Sequence, residues 1–380
     1  MVMFSGRKQV AFEAMLTILA VVIVPGLLCV LFMPAWEYAQ NTQIDKKLPA
    51  DMYYIDGIFS DNVRKRKEMS ESIIDLTIIM PSFNEEERLP TTLDTTVNFM
   101  NSYSKTASIL YEILIVDDYS TDTTADFVNK YSAAVATTSA ESNCNHNDGK
   151  CNSNSSSSSN GSIRLLKLSR NHGKGGAIKR GVTHSRGKYI LFADADGATD
   201  ITYLPNLYNK IKEIEIRDIK LSPTMGINIG KEHEHEHSSM VGMVVGSRAH
   251  LEKTSISVRK WYRTVLMYGF HLLTSFLATD KIKDTQCGFK IFTKQTAKIL
   301  FTNLHLEGWL FDIELIYIAE RLNIPIYEIS VSWQEIDGSK LIKNKFDIII
   351  TSLRMARDML CMRLSYSIGI WGLSSWNKLQ

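Results

Sequence analysis

The stretch that decides the fold is LTIIMPSFNEE, residues 76–86. Its first five residues form a mostly apolar run that suits a buried strand, and the polar residues after Pro81 mark the strand's end. Similar runs follow at 112–116, 163–168, 189–193 and 241–245, with helical stretches near 91–103, 122–135 and 174–185. This alternation predicts an α/β domain with a mostly parallel sheet and right-handed crossovers.

The composition is that of an ordinary globular protein with a sizeable core. The 380 residues are 44% hydrophobic and 22% charged, which fits one large domain or two ordinary ones. A net charge of only +2 gives no support for a nucleic-acid partner. The five cysteines are odd in number and widely spaced, which disfavours a disulfide framework and fits a reducing compartment.

Residues 14–33 form an uncharged run. At about 1.5 Å per residue the run covers the roughly 30 Å hydrocarbon core of a bilayer. No small-residue cleavage site follows, so residues 1–36 are predicted to be a retained signal-anchor with Trp36 and Tyr38 at the membrane interface; a cleaved signal peptide is the alternative. Lysines and arginines are in excess on the C-terminal side, which predicts that the globular part faces the cytosol.

The rest of the chain divides by composition. Residues 37–72 are predicted to be a polar linker and 73–340 the globular domain. Two polar inserts, 137–162 and 222–239, are predicted to be disordered loops. The weaker alternatives are zinc binding by Cys144, His146 and Cys151 in the first insert and metal binding by His233, His235 and His237 in the second. Residues 341–380 are apolar with interleaved arginines, which suits amphipathic helices in the membrane surface; helices packed on the domain are an equal alternative.

Polar and acidic segments follow three of the predicted strands: PSFNEE (81–86), DDYSTD (117–122) and DADG (194–197). Ligands of open α/β sheets bind beyond the carboxyl ends of the strands. A single acidic segment there would be explained as a helix cap, but three at one edge of the sheet indicate a ligand site.

Asp194 and Asp196 offer hard oxygen ligands of the kind that Mg²⁺ or Mn²⁺ prefers. Such an ion would also hold a diphosphate and neutralise the charge on a departing nucleoside diphosphate. Asp117 or Asp118 is a candidate acceptor for a base N–H.

Cations are predicted at the same edge. RNHGKGG (170–176) opens a helix after the third strand; it is not a Walker A loop, because no Lys-Ser or Lys-Thr closes it. Glycines at a helix N-terminus still suit close approach to phosphate, and Lys174 adds charge. Arg248 follows the fifth strand and is a second candidate.

The motifs P-x-x-N-E, V-D-D-x-S and D-A-D, in this order, resemble those of the inverting family 2 glycosyltransferases, which have the GT-A (Rossmann-like) fold. Later segments and the N-terminal anchor resemble the eukaryotic branch that glucosylates dolichyl phosphate; these segments are LSRN (168–171), VGSRAH (245–250), DTQCGFK (284–290) and WLFDIE (309–314). The resemblance covers roughly residues 70–335, and the two inserts have no counterpart. The Q-x-x-R-W motif of processive synthases is absent from the sequence, which disfavours a polymerase.

The resemblance implies UDP-glucose as donor, dolichyl phosphate as acceptor and the endoplasmic reticulum membrane as location. It implies uridine-site roles for Pro81, Glu85 and Asp118. It implies diphosphate and metal roles for Asp194 and Asp196.

On the acceptor side the resemblance places Arg248, Asp284 and Lys290 near the phosphate, with Asp312 close by. A phosphate monoester is largely dianionic at pH 7 because its second pKa is about 6, so no general base is required. Asp284 or Asp312 is therefore expected to orient the acceptor.

Three other functions remain open at this point. A mannosyltransferase using GDP-mannose would carry the same fold and acidic motifs. A non-catalytic membrane scaffold is disfavoured by the intact acidic pair, and a polyisoprenyl-phosphate sugar transferase for a surface glycan would differ only in the destination of the sugar.

Overall fold

The computed structural model describes residues 24–47, 54–57, 74–141, 160–221, 241–251, 261–334, 336 and 345–373. The insert 222–239 and residues 14–23 of the predicted span lie outside these ranges. The insert 137–162 is narrower than predicted, because helix continues to Glu141 and a strand begins at Gly161; its remainder, with the proposed zinc ligands, also lies outside.

The described residues contain a sheet of eight strands. In chain order these are β1 (Tyr54–Gly57), β2 (Leu76–Ser82), β3 (Tyr111–Asp117), β4 (Gly161–Lys167), β5 (Tyr189–Ala193), β6 (Met243–Ser247), β7 (Phe289–Thr293) and β8 (Ile326–Ser330). Their order across the sheet is β1-β4-β3-β2-β5-β7-β6-β8. The chain order reverses beside β2, so the crevice between β2 and β5 is the switch point at which such sheets bind ligands.

Strand direction brings many chain segments to one edge. Strands β2 to β5 are mutually parallel, and β7 is antiparallel to both β5 and β6, so β6 and β8 run the same way as β5. The carboxyl ends of β2, β3, β4, β5, β6 and β8 therefore share one edge with the amino end of β7. We refer to it below as the carboxyl edge.

The α-helices of the described residues are α1 (Val24–Lys47), α2 (Leu89–Ala107), α3 (Thr124–Glu141), α4 (Gly173–His184), α5 (Leu204–Leu221), α6 (Trp261–Leu277), α7 (Lys294–Asn303), α8 (Phe311–Arg321) and α9 (Lys345–Ser367). Helix α2 begins with Pro90 in its first turn, where the missing N–H costs nothing. It ends at Ser108, whose left-handed backbone (φ 54°) closes the last turn.

The core lies in two layers, one on each face of the sheet. Alternate residues of β2 enter opposite layers: Ile78 joins the side chains of α2, α3 and α5, whereas Ile79 joins those of α4, α7 and α8. Both are fully buried, as is Leu114 of the neighbouring strand. Each such side chain contributes roughly 1.5–3 kcal/mol by leaving water. The near-continuous apolar strands are those of a sheet covered on both faces.

A buried carboxylate fixes the register of the parallel strands. Glu112 of β3 is fully buried and accepts hydrogen bonds from Thr77 of β2 (2.8 Å), Arg164 of β4 (3.0 Å) and Arg186 (2.8 Å). Removing one partner of such a network leaves an uncompensated buried charge. The three strands are thereby held in line, and so are the segments that follow them.

The predicted α/β class and mostly parallel sheet are confirmed, and the predicted strands are offset by two residues at most. The sequence patterns missed β1, β7 and β8. Strand β7 contains a lysine in an apolar run, and β8 is only half-buried, so neither has a clean period. The three cysteines in the described residues, Cys29, Cys287 and Cys361, are free thiols.

The N-terminal helix continues through the start of the predicted linker. Helix α1 runs to Lys47, because its second half packs on the domain: Tyr38 lies 4.7 Å from His305 between ring centroids, and Asn41 accepts a hydrogen bond from Arg170 at 3.0 Å. In the described residues, none of the helices combines enough length with enough hydropathy to cross a bilayer.

Candidate active site

The ends of β2 and β3 are tied together at the carboxyl edge. The Asn84 side chain accepts a hydrogen bond from the backbone N–H of Thr121 (2.8 Å), and the backbone N–H of Asn84 donates to Ser120 (2.9 Å). Asn84 and Tyr119 have left-handed backbones, with φ of 55° and 67°. Residues other than glycine adopt the left-handed backbone conformation at a cost in free energy, and such strain concentrates at functional sites. Phe83 and Tyr119 are exposed between the two strand ends.

The two aspartates that end β3 differ in their partners. Asp118 accepts backbone hydrogen bonds from His172 (2.7 Å) and Gly173 (2.8 Å), so it anchors the glycine-rich segment at the start of α4. Burial raises the pKa of Asp118 to about 6 although these two bonds act in the opposite direction. In Asp117 one oxygen accepts from Ser120, and the other is buried without a hydrogen-bond partner in the described residues. Asp117 is therefore the better candidate for the base N–H.

The predicted uridine residues Pro81 and Glu85 lie at the same end of β2. Pro81 is half-buried opposite Val116 of β3. Glu85 holds Arg88 in a two-pronged ion pair, with distances of 2.7 and 2.5 Å. Glu85 therefore orients the Arg88 guanidinium, and the sequence patterns did not identify Arg88 as a site residue.

The glycine-rich segment at the start of α4 packs against the loop before α8. The backbone N–H of Gly176 donates to the Glu307 carbonyl at 3.0 Å, and a Cβ on Gly175 would lie 2.5 Å from Phe311. The Glu307 carboxylate lies 3.2 Å from Arg180. Burial raises the pKa of Glu307, but neighbouring His172, Arg180 and Lys179 outweigh it and bring it down to about 2.

Asp194 and Asp196 lie at the centre of the carboxyl edge, between cations from both sides. Lys174 Nζ is 2.6 Å from Asp194 Oδ1, and Arg88 Nη1 is 4.0 Å from Asp196 Oδ2. A Cβ on Gly288 would lie 2.0 Å from the Asp194 carboxylate, so a side chain at that position would displace the carboxylate. The segment before β7 therefore forms one wall of the acidic site.

This acidic pair fits a divalent cation. The two side chains are each 28% exposed, and burial together with the neighbouring charge of Asp194 raises the pKa of Asp196. A cation between them would relieve that repulsion. No cluster of three or more His, Cys, Asp or Glu side chains suited to a metal occurs in the described ranges, so the diphosphate and water would have to complete the coordination.

Arg248 and Asp284 form a second polar unit at the ends of β6 and β7. Arg248 Nε and Nη2 donate to the two oxygens of Asp284 at 2.7 and 2.8 Å, and the guanidinium lies 5.4 Å from the centre of the Trp333 ring. This pairing outweighs burial and lowers the pKa of Asp284. Arg248 Nη1 makes no hydrogen bond within the part of the chain that the structure describes, so it can contact an anion.

The predicted residues Lys290 and Asp312 are not at the surface of the site. Lys290 is fully buried, with Nζ 2.5 Å from Asp312 Oδ1 and 2.7 Å from the Cys287 carbonyl. Lys290 lies on the same face of β7 as Phe292, and helix α8 covers that face, so the lysine side chain is buried there. The charge of Asp312 also acts on Lys174.

A cavity of about 700 Å³ adjoins Arg248 and Asp284. Ser247 and His250 from the end of β6, His271 from α6 and Lys283 line part of it. The cavity therefore lies between helix α6 and the chain neighbours of Arg248 and Asp284.

Three site residues have no signal in the sequence patterns: Arg88, Glu307 and Trp333. Trp309 is 44% exposed, and Lys174 Nζ lies 5.5 Å from the centre of its ring. Arg88 and Glu307 each lie two residues from a quoted motif and Trp309 lies inside one, but such a position does not by itself distinguish a site residue from its neighbours.

Comparison with known proteins gives the family. Residues 77–294 match the family model described as glycosyl transferase family 2. The chain therefore belongs to glycosyltransferase family 2.

The similar curated proteins include several dolichyl-phosphate beta-glucosyltransferases. That of Dictyostelium discoideum is 39% identical, with 90% of this chain and 88% of that protein covered. That of Homo sapiens is 38% identical with 88% and 90% covered, and that of Saccharomyces cerevisiae is 36% identical with 78% and 76% covered. The branch of the family indicated by the sequence motifs is thereby confirmed.

Proposed function

We propose that this glycosyltransferase moves glucose from UDP-glucose to dolichyl phosphate, with inversion at the anomeric carbon. The observation that carries the proposal is the convergence of an acidic pair and three cations at one edge of the sheet. Asp194 and Asp196 lie there with Lys174, Arg88 and Arg248. The names of the similar proteins support glucose as the transferred sugar and dolichyl phosphate as the acceptor. Those names do not mention the nucleotide, and UDP is proposed here from the resemblance of the motifs.

The donor would bind between the ends of β2, β3 and β5. The uracil ring would lie between Phe83 and Tyr119 and donate its N–H to Asp117, whose unpaired buried oxygen otherwise lacks a partner. The diphosphate would then meet Lys174 and Arg88, whose charges compensate it.

Mg²⁺ or Mn²⁺ at Asp194 and Asp196 would supply charge neutralisation for the leaving UDP. The chain's own contribution is to fix the two carboxylates. Gly288 on one side and Lys174 on the other limit how far Asp194 can turn. The arrangement is preorganised for developing negative charge.

The acceptor phosphate would bind at Arg248 through Nη1, with the cavity beside it holding the adjoining part of the lipid. Its oxygen is already largely ionised at pH 7, because the second pKa of a phosphate monoester is about 6. Asp284 is occupied by Arg248 and Asp312 by Lys290, so neither carboxylate is placed to take a proton. The reaction therefore proceeds without a general base.

The lipid substrate requires contact with a bilayer, and helices α1, α6 and α9 supply a surface for it. Helix α9 contacts both α1 and α6. Their outward side chains include Trp36 (67% exposed), Leu272 (72%), Phe276 (81%) and Leu353 (65%). Exposed apolar surface of this extent on adjacent helices supports membrane contact. Together with the uncharged run 14–33, it supports a membrane-bound protein. The endoplasmic reticulum as location and a cytosolic catalytic domain are part of the proposal, and they rest on the resemblance and on the excess of lysine and arginine after the run.

A donor panel tests the proposal. Full-length protein in detergent is given polyprenyl phosphate and either UDP-[³H]glucose or GDP-[³H]mannose, with and without EDTA. We expect labelled lipid from UDP-glucose and none from GDP-mannose, and we expect EDTA to abolish the labelling. Labelling from GDP-mannose alone would establish the mannosyltransferase alternative, and no labelled lipid from UDP-glucose under any condition refutes the proposal.

A further inference from the structure

The carboxylate that would hold the metal is already paired with a cation of the chain itself. Lys174 Nζ lies 2.6 Å from Asp194 Oδ1, and their side chains are only 15% and 28% exposed. Ion pairs on the open surface contribute little, but a pair this withdrawn from water is much less screened. An arriving cation therefore has to compete with Lys174 for the same oxygen.

Lys174 has other interactions in reach when it leaves Asp194. Its ammonium lies over the Trp309 ring at 5.5 Å, and the charge of Asp312 also acts on it. The Lys290 ammonium, 2.5 Å from Asp312, keeps that carboxylate in place. Lys174 itself follows Gly173, whose left-handed backbone (φ 79°) turns the chain at the start of α4.

We propose that, in the absence of a nucleotide, the Lys174 ammonium occupies the position at Asp194 that the metal would take. When a nucleotide binds, Lys174 contacts the diphosphate instead. This inference rests on the proposed function, because it assumes a diphosphate donor. A nucleoside diphosphate brings both a counter-charge for Lys174 and oxygen ligands for the cation. Two carboxylates alone bind a divalent cation weakly, and an ammonium on one of them weakens the binding further. Metal and nucleotide should therefore bind with positive coupling, and Lys174 carries part of that coupling.

The test measures metal binding with no sugar present. Mn²⁺ binding to full-length protein is followed by electron paramagnetic resonance, with and without UDP. Wild type is expected to bind Mn²⁺ weakly alone and about 10-fold or more tightly with UDP, a coupling of ordinary size for linked sites. K174M is expected to bind Mn²⁺ alone about 10-fold more tightly than wild type, and to lose most of the gain from UDP.

Two variants control for charge and for folding. K174R keeps the positive charge and should bind Mn²⁺ alone as weakly as wild type. K188M removes a lysine paired with Glu215 at 2.5 Å, at the opposite end of β5, and should change nothing. K174Q repeats the main measurement in a polar form if K174M unfolds at a lower temperature than wild type.

Equal or weaker Mn²⁺ affinity in K174M and K174Q without UDP overturns the inference, as does absence of Mn²⁺ binding in every sample. The measurement contains no glucose and no lipid. If Lys174 weakens Mn²⁺ binding as expected but the protein transfers no glucose, the proposed function is refuted and the inference stands.

Discussion

Replacing Glu307 by glutamine tests whether this carboxylate holds the glycine-rich segment in place. Glu307 Oε1 lies 3.2 Å from Arg180 and 3.9 Å from Lys179, and its side chain is only 11% exposed. Glutamine keeps the shape and can still accept a hydrogen bond, so E307Q removes mainly the charge.

The expected loss follows from the pKa of Glu307. Its folded value of about 2, against an ordinary value of 4.5, corresponds to about 3 kcal/mol of stability at pH 7. Because the folded pKa is lowered, this stability is fully present above about pH 4.5 and is lost as the pH falls towards 2. At roughly 2 cal/mol/K of unfolding entropy per residue, the loss lowers the unfolding temperature by about 4 °C.

The assay is thermal unfolding of full-length protein in detergent, read by tryptophan fluorescence at pH 7 and pH 3. E307Q should unfold about 4 °C below wild type at pH 7 and less than half as far below it at pH 3. E213Q is the control, since Glu213 forms a surface pair with Lys210 and is 45% exposed. A difference between wild type and E307Q that is absent at pH 7, or equally large at pH 3, refutes the reasoning.

Three further predictions concern the site and the membrane surface. D284N should lower kcat/KM by about 10-fold or more through loss of the Arg248 pair, while the acid side of the pH–rate profile stays near pH 6; a displaced profile would show that Asp284 is a base. G288A should abolish transfer while the protein still unfolds cooperatively, because the added Cβ displaces the Asp194 carboxylate; full activity would contradict that contact. L272E should reduce binding to phospholipid vesicles in a flotation assay and leave Mn²⁺ binding unchanged; undiminished flotation would remove α6 from the membrane surface.

The position of the site was predictable from the sequence because the parallel strands have strong apolar runs. Each run ends at a polar segment, and parallel direction brings such ends to one edge. Asp194, Asp117 and Lys174 could therefore be placed together from the sequence alone. The predicted sheet failed where the strand signal was weak, as in β7, which carries Lys290 inside an apolar run.

The partners of the site residues could not be predicted, because they come from distant parts of the chain. The resemblance placed Lys290 near the acceptor phosphate, but in the fold it is buried and pairs with Asp312 of helix α8. Arg88 and Glu307 have no periodic pattern, and their roles depend on contacts with Asp196 and Arg180. Sequence patterns identify which segments meet, and the packing of those segments decides which charges pair.

The most direct test of the central claim is transfer of [¹⁴C]glucose from UDP-glucose to dolichyl phosphate by wild type, D194N, D196N and D200N. Asp200 follows the same strand but only caps a short turn, by accepting from the Thr202 backbone at 2.9 Å. Wild type and D200N should give the same yield of dolichyl glucosyl phosphate, and D194N and D196N less than about 1% of it, because each removes a charge that the leaving diphosphate requires. Undiminished transfer by D194N and D196N, or none by wild type, would contradict the account.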